Sequence, residues 1–232
     1  SALQAAITHI LTMLDEPRSK TVLAILPALP ASLQSVASGG RAMILDEWGT
    51  LDERVEAWSD AFARHQTRDQ ADCALRGICT ATKELGAVSS FIAWSELRLP
   101  FTHGTTRSHL LIELAAARGS LSQVDGCVEA ACLAIDQGAN FDEVMPSLHA
   151  LPIHECWQEL VDPLISWAPV DTTGMVMPLL STVASVARMS NSSKTVSLHQ
   201  ALSAAQPENQ YATDYLVQEA FERAAYSEVL SL

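Results

Sequence analysis

The densest group of chemically capable side chains is His149-Ala-Leu-Pro-Ile-His154-Glu155-Cys156-Trp157-Gln-Glu159, with two imidazoles, a thiol and two carboxylates in eleven residues. Such a set could hold a divalent metal or move a proton. The spacing is not His-Glu-x-x-His, in which two imidazoles one helical turn apart face the same way; one turn after His154 stands Gln158. His149 lies across Pro152, on a preceding helix or turn. A metal site of His149 and His154 with Glu155 or Cys156 is therefore geometrically open but unspecific. The competing arrangement is a helix with Cys156, Trp157 and Leu160 toward a core and His154, Glu155 and Glu159 in water.

Other reactive constellations find no anchor. No serine sits in a Gly-x-Ser-x-Gly elbow, and no cysteine has a catalytic signature around it. The glycines form neither a Gly-x-Gly-x-x-Gly nor a Walker loop, and the lysines are only Lys20, Lys83 and Lys194, so nucleotide chemistry and a nucleotide cofactor are not expected. The carboxylate pairs Asp46-Glu47, Asp52-Glu53 and Asp142-Glu143 fall at predicted helix ends, where acids offset the helix dipole. The five cysteines, Cys73, Cys79, Cys127, Cys132 and Cys156, are odd in number and lack Cys-x-x-Cys spacing. They read as reduced thiols buried in a cytoplasmic protein.

Charge is the more informative feature. The 232 residues carry 14 Lys and Arg against 27 Asp and Glu, a net charge of −13. Between Arg118 and Arg188 there is no Lys or Arg, but there are nine acids: Asp125, Glu129, Asp136, Asp142, Glu143, Glu155, Glu159, Asp162 and Asp171. His149 and His154 are the only side chains of that block able to become cationic near neutral pH. This pattern argues against a nucleic-acid binder, which needs a basic footprint, and against a polybasic membrane-surface protein. It also keeps a protein soluble without any partner. The uncharged run Thr21–Gly40 contains Pro27, Pro30, Gln34 and several serines, so it makes a poor bilayer helix. The chain begins Ser1-Ala2-Leu3 with no initiator Met and no visible signal segment, as a domain boundary would.

The elements that must position these residues are helices. Hydrophobic residues make up 48% and charged residues 18%, and Ala and Leu together exceed a quarter of the chain; both lose little side-chain entropy in a helix. Capping-box patterns start at Thr50, Thr67 and Ser120, with a close variant at Asn140. Gly39-Gly40, Gly49, Gly86, Gly104, Gly119 and Gly138 follow apolar runs as helix stops. Stripes such as Leu51/Val55/Trp58/Phe62 and Val124/Val128/Ala131/Ile135 have helical spacing. The spacing predicts an all-α chain of about a dozen short antiparallel helices, among them 2–14, 18–38, 41–48, 51–65, 69–85, 88–98, 106–118, 121–137, 141–150, 153–166, 174–189, 193–205 and 209–230.

A degenerate repeat runs through the middle. Gly86 and Gly119 close similar segments 33 apart, Ala117-Arg118 recurs as Ala187-Arg188, and Ala28-Leu29-Pro30 recurs as Ala150-Leu151-Pro152. A period of 33 to 37 residues in helix pairs resembles tetratricopeptide-like and HEAT-like arrays (α-solenoids) over about 69–205, without the Trp-x-x-Leu-Gly-x-x-Tyr signature. That resemblance implies a non-enzymatic binding scaffold with a concave groove, and it implies no catalytic residue. The expected division is an N-terminal helical segment at 1–66, helix-pair repeats at 67–205 and a capping helix at 206–232, stacked as one continuous structural unit.

The expectation for function is a protein-interaction module, an adaptor, chaperone or inhibitor, whose acidic helical surface meets a basic protein or peptide. Its candidate binding residues are Glu129, Asp142, Glu143, His149, His154, Glu155, Trp157, Glu159 and Asp162. No catalytic or metal-binding residue is assigned. The alternatives are an all-α enzyme around His149–Glu159, and an oligomerising domain that forms a homodimer through 209–232.

Overall fold

The computed structural model describes residues 15–222. Among these, twelve α-helices and three short 3-10 turns occur and no strand. The chain divides into two compact units, one up to His103 and one from Gly104 onward.

The first unit holds α1 (Glu16–Ile25), α2 (Gln34–Trp48), α3 (Leu51–Ala63), α4 (Arg68–Glu84) and α5 (Val88–Arg98). The single helix expected over 18–38 is broken: Pro27 and Pro30 cannot donate a backbone hydrogen bond, and 3-10 turns occupy Leu26–Ala28 and Ala31–Leu33 instead. Gly39-Gly40, expected as a helix stop, lies inside α2. Thr50 does cap α3 as expected, its N–H donating to Glu53 Oε2 at 2.9 Å. Each helix packs against the next, and α2 also meets α4. Their shared core joins Leu45, Trp58, Leu75 and Ile78 with the small residues Ala42, Ala57, Ala61 and Ala74. Between α4 and α5, Arg98 Nε donates to Asp72 Oδ1 at 2.8 Å.

The second unit holds α6 (Gly104–Ser120), α7 (Val124–Asp136), α8 (Phe141–His149), α9 (Ile153–Trp167), α10 (Val176–Met189), α11 (Thr195–Ala205) and α12 (Gln210–Glu222). Here α6 meets α7 and α8, α7 meets α8 and α9, α8 meets α10, α9 meets α10 and α11, α10 meets α11, and α11 meets α12. Helices that touch the next and the next but one form the contact pattern of a stacked helical array. The core is a row of fully buried aliphatic residues, including Leu111, Leu114, Met145, Leu148, Leu160, Leu164, Leu180 and Leu198.

One turn recurs and sharpens the repeat. After α4, α6, α7 and α10 the chain passes through a left-handed residue: Gly86 (φ 70°), Ser122 (φ 55°), Gly138 (φ 87°) and Asn191 (φ 50°). The following N–H reaches back across the last turn, as in Ala87 to Thr82, Gln123 to Arg118, Ala139 to Ala134 and Ser192 to Ala187. The residue equivalent to Gly86 is therefore Ser122, not Gly119, and the spacing is 36 residues, with Asn191 a further 69 on. Gly119, read as a stop, lies in the last turn of α6, where Ser147 O and Cys127 Sγ would be 3.3 and 3.4 Å from a Cβ. Likewise Ser120 ends α6 rather than capping α7, and Gly104 begins α6. The expected helix at 2–14 lies outside the described residues, as do 223–230 of the last helix.

Candidate functional site

The start of α7 and the start of α9 together frame an open groove of about 740 Å³. Asp125 contributes from the first turn of α7, and Glu155 and Glu159 from successive turns of α9. The i,i+4 spacing of Glu155 and Glu159 puts both carboxylates on one helix face. Val124, Pro152 and Cys156 supply the apolar part of the lining. Among the described residues, none of the three carboxylates has an ion-pair or hydrogen-bond partner.

Two features of α9 shape this face. Pro152 caps the helix, and Cys156 departs from helical geometry (φ −123°, ψ 18°), so the helix kinks after its first turn. The Pro152 carbonyl accepts from the N–H groups of Glu155 (2.8 Å) and Cys156 (3.2 Å), and from Cys156 Sγ at 3.3 Å. Further along, Pro163 cannot donate to the Glu159 carbonyl one turn earlier.

Three of the thiols are held toward their protonated form. Burial pushes the Cys156 thiol up, and the charge of Glu159 pushes the same way. Burial raises Cys127 to about 11, and burial together with Asp136 raises Cys132. Each favours the protonated thiol, whereas both nucleophilic attack and metal ligation require thiolate. No disulfide joins any of the five cysteines.

The other candidate residues are spread over several surfaces. Glu129 is exposed on α7 with Arg118 Nη1 3.9 Å away, and Asp162 lies 3.1 Å from Lys194 Nζ. Asp142 and Glu143 occupy the first turn of α8, where Glu143 Oε2 accepts from the Asn140 N–H at 3.0 Å. His149 ends α8 and His154 lies in the first turn of α9; both are exposed. Trp157, a candidate binding aromatic, has 7% of its surface exposed, so its ring serves the core. Trp167 is buried likewise and packs against Phe141 at 5.9 Å. His149, His154, Glu155 and Cys156 do not assemble: among the described residues no three His, Cys, Asp or Glu side chains form a cluster suited to a metal. Asp125 belongs to the acidic block but is not among the binding residues expected from the sequence. Its signal, an acid in a first helical turn, is common to ordinary helix starts. The suggested dimer segment 209–232 is described only as far as Glu222.

No protein-family model matches this sequence, and no curated protein matches it. Among solved structures, the chain is similar to the kinesin light chain nearly identical TPR-like repeats of Podosopora anserina. The identity is 16% and the TM-score 0.37, over 86% of this chain and 98% of that one. The resemblance to TPR-like helical repeats is thus weak. No helix among the described residues is long and apolar enough to cross a membrane.

Proposed function

We propose that the chain is a protein-interaction module whose Asp125/Glu155/Glu159 groove receives a basic segment of a protein or peptide partner. The observation that carries this reading is the convergence itself: carboxylates from two helices, about thirty residues apart in sequence, line one open groove without cationic partners among the described residues. Like charges held together raise the electrostatic energy of the free protein, and a guanidinium or ammonium group in the groove relieves it. Val124 and Pro152 offer apolar surface to the aliphatic stem of an Arg or Lys side chain. The remaining acids of the 119–187 block extend the field and speed encounter with a basic partner. An adaptor, a chaperone and an inhibitor of a basic protein all fit this chemistry. A cytoplasmic setting belongs to the same proposal, since reduced cysteines without disulfides suit a reducing compartment.

The test is titration with an Arg-rich peptide at about 50 mM and about 300 mM salt, where screening differs strongly. The triple variant Asp125→Asn, Glu155→Gln, Glu159→Gln is titrated beside the wild type. Binding should weaken about tenfold or more with salt, and should weaken similarly in the variant at low salt. Binding that responds to salt but not to the triple variant would place the partner elsewhere on the acidic block. Binding indifferent to both, or none, would remove the reading.

A further inference from the structure

In the first unit, α2, α3 and α4 surround a small recess of about 50 Å³. Val36 and Met43 of α2, Trp58 of α3 and Ala74 of α4 supply apolar walls, while Ser35 and Gln70 add polar atoms. No carboxylate, guanidinium or ammonium group lines it. The recess is therefore chemically unlike the acidic groove of the second unit.

Three features show a preformed shape. Trp58 is pinned: Gly77 lies so close that a Cβ there would stand 2.3 Å from the ring, and the indole Nε1 donates to Asp46 Oδ1 at 3.0 Å. Gln70 is oriented, because its Oε1 accepts from the Gln66 backbone N–H at 2.8 Å and from Ser35 Oγ at 3.2 Å. A backbone N–H can only donate, so the oxygen end of the carboxamide is fixed and the NH2 end points the other way. That nitrogen has no hydrogen bond among the described residues. Finally, Gly39 lies inside α2, where glycine is a poor helix former, yet a Cβ there would meet nothing within 4 Å. No close neighbour demands the glycine, and at this point of the recess lining there is open space beside the helix backbone.

We propose that this recess binds a neutral, branched aliphatic group of three or four carbons next to a carbonyl. The aliphatic part would rest on Trp58 and Met43, and the carbonyl would accept from Gln70 Nε2. The size follows from comparison: an apolar cavity of about 150 Å³ admits benzene, so a third of that volume suits a much smaller group. The uncharged lining excludes ions, since a desolvated charge without a partner is strongly disfavoured. Small aliphatic amides carry this group, and so do valine and leucine residues of a peptide.

The test uses the full chain, isotope-labelled, with two probes: isobutyramide and N-acetyl-leucine N-methylamide. Nuclear magnetic resonance follows the Trp58 indole N–H, the Met43 methyl and the Gln70 carboxamide. The expected result is saturable shifts centred on these groups, weakened or lost in Gly39→Leu, which puts a bulky side chain on the recess lining. Gln70→Glu keeps the acceptor for Gln66 but removes the donor, so it should weaken binding several-fold even if Gly39→Leu fails to fold. Binding of the free amide alone identifies a small-molecule source, and tighter binding of the blocked leucine identifies a peptide source. Absence of saturation by both probes, or shifts unchanged in both variants, overturns the proposal. Neither result bears on the salt-dependent binding expected of the acidic groove.

Discussion

A Cβ on Gly77 would stand 2.3 Å from the Trp58 ring, so the indole lies against the bare backbone of α4. The ring cannot simply slide away, because Nε1 is held by Asp46 Oδ1, which also accepts from Arg54 Nε at 3.2 Å. Arg54 in turn donates to Glu84 Oε2 at 2.7 Å, linking α2, α3 and α4. Gly77→Ala should therefore destabilise the protein by about 1–3 kcal/mol despite the better helix propensity of alanine. Denaturant unfolding followed by Trp fluorescence checks this. An unchanged or raised midpoint would mean that the ring has room to move.

The Arg98–Asp72 pair is the second fixed point of that unit. Arg98 is 8% exposed and its Nε lies 2.8 Å from Asp72 Oδ1. Removing the acid leaves a largely desolvated guanidinium without its counter-charge. Asp72→Ala should cost about 2–3 kcal/mol, less than for a fully buried pair because Asp72 keeps some solvent contact. Arg98→Met, which removes the charge and retains the stem, should cost clearly less. Equal losses in the two variants would show that packing, not charge, holds α4 to α5.

The fold class was legible because Ala, Leu and helical spacing agree along the chain. Individual glycines were not. Gly86 and Gly138 end helices through a positive φ, Gly77 sits inside a helix because the Trp58 ring takes the space of a side chain, and Gly39 sits inside a helix with no close neighbour. A glycine does not declare which of these it serves, and Ser122 takes the left-handed role where a glycine three residues earlier attracted notice. The acidic block was equally visible, but its concentration into Asp125, Glu155 and Glu159 depends on α7 meeting α9. That contact is tertiary and no local pattern encodes it. Trp157 lay among acids in the chain yet faces the core, since neighbours along a helix point in different directions.

The thiols provide a chemical check. With Cys127 raised to about 11 by burial, its thiolate fraction at pH 8 is about one in a thousand. Native protein treated with iodoacetamide near pH 8 should be alkylated at half-buried Cys73 well before Cys127. Peptide mapping by mass spectrometry after a short pulse reads the order. Early labelling of Cys127 would mean that α7 opens away from α6 and α8 on the time scale of the pulse.

His199 sets an acid limit on the second unit. Its ring is fully buried in α11, 4.0 Å from Tyr215 and 5.5 Å from Tyr211 of α12 between centroids. Nδ1 lies 2.8 Å from the Thr195 carbonyl and so carries the proton, leaving Nε2 without a hydrogen-bond partner. From α10, Arg188 places its guanidinium over both tyrosine rings, and Lys194 precedes α11 beside Asp162 of α9. Burial lowers the imidazole pKa and the Arg188 charge adds to this, against the opposing Thr195 bond. Because the folded-state pKa lies below the unfolded value, the unfolded chain takes up the proton first. Stability is then complete above about pH 6.5 and declines as pH falls toward the folded-state pKa. His199→Leu removes the titrating group while keeping apolar contact with the tyrosines. Between pH 7.5 and 5 the melting temperature of the wild type should fall more steeply than that of the variant. Parallel curves would show that His199 accepts its second proton without loss, and that α11 and α12 tolerate the cation.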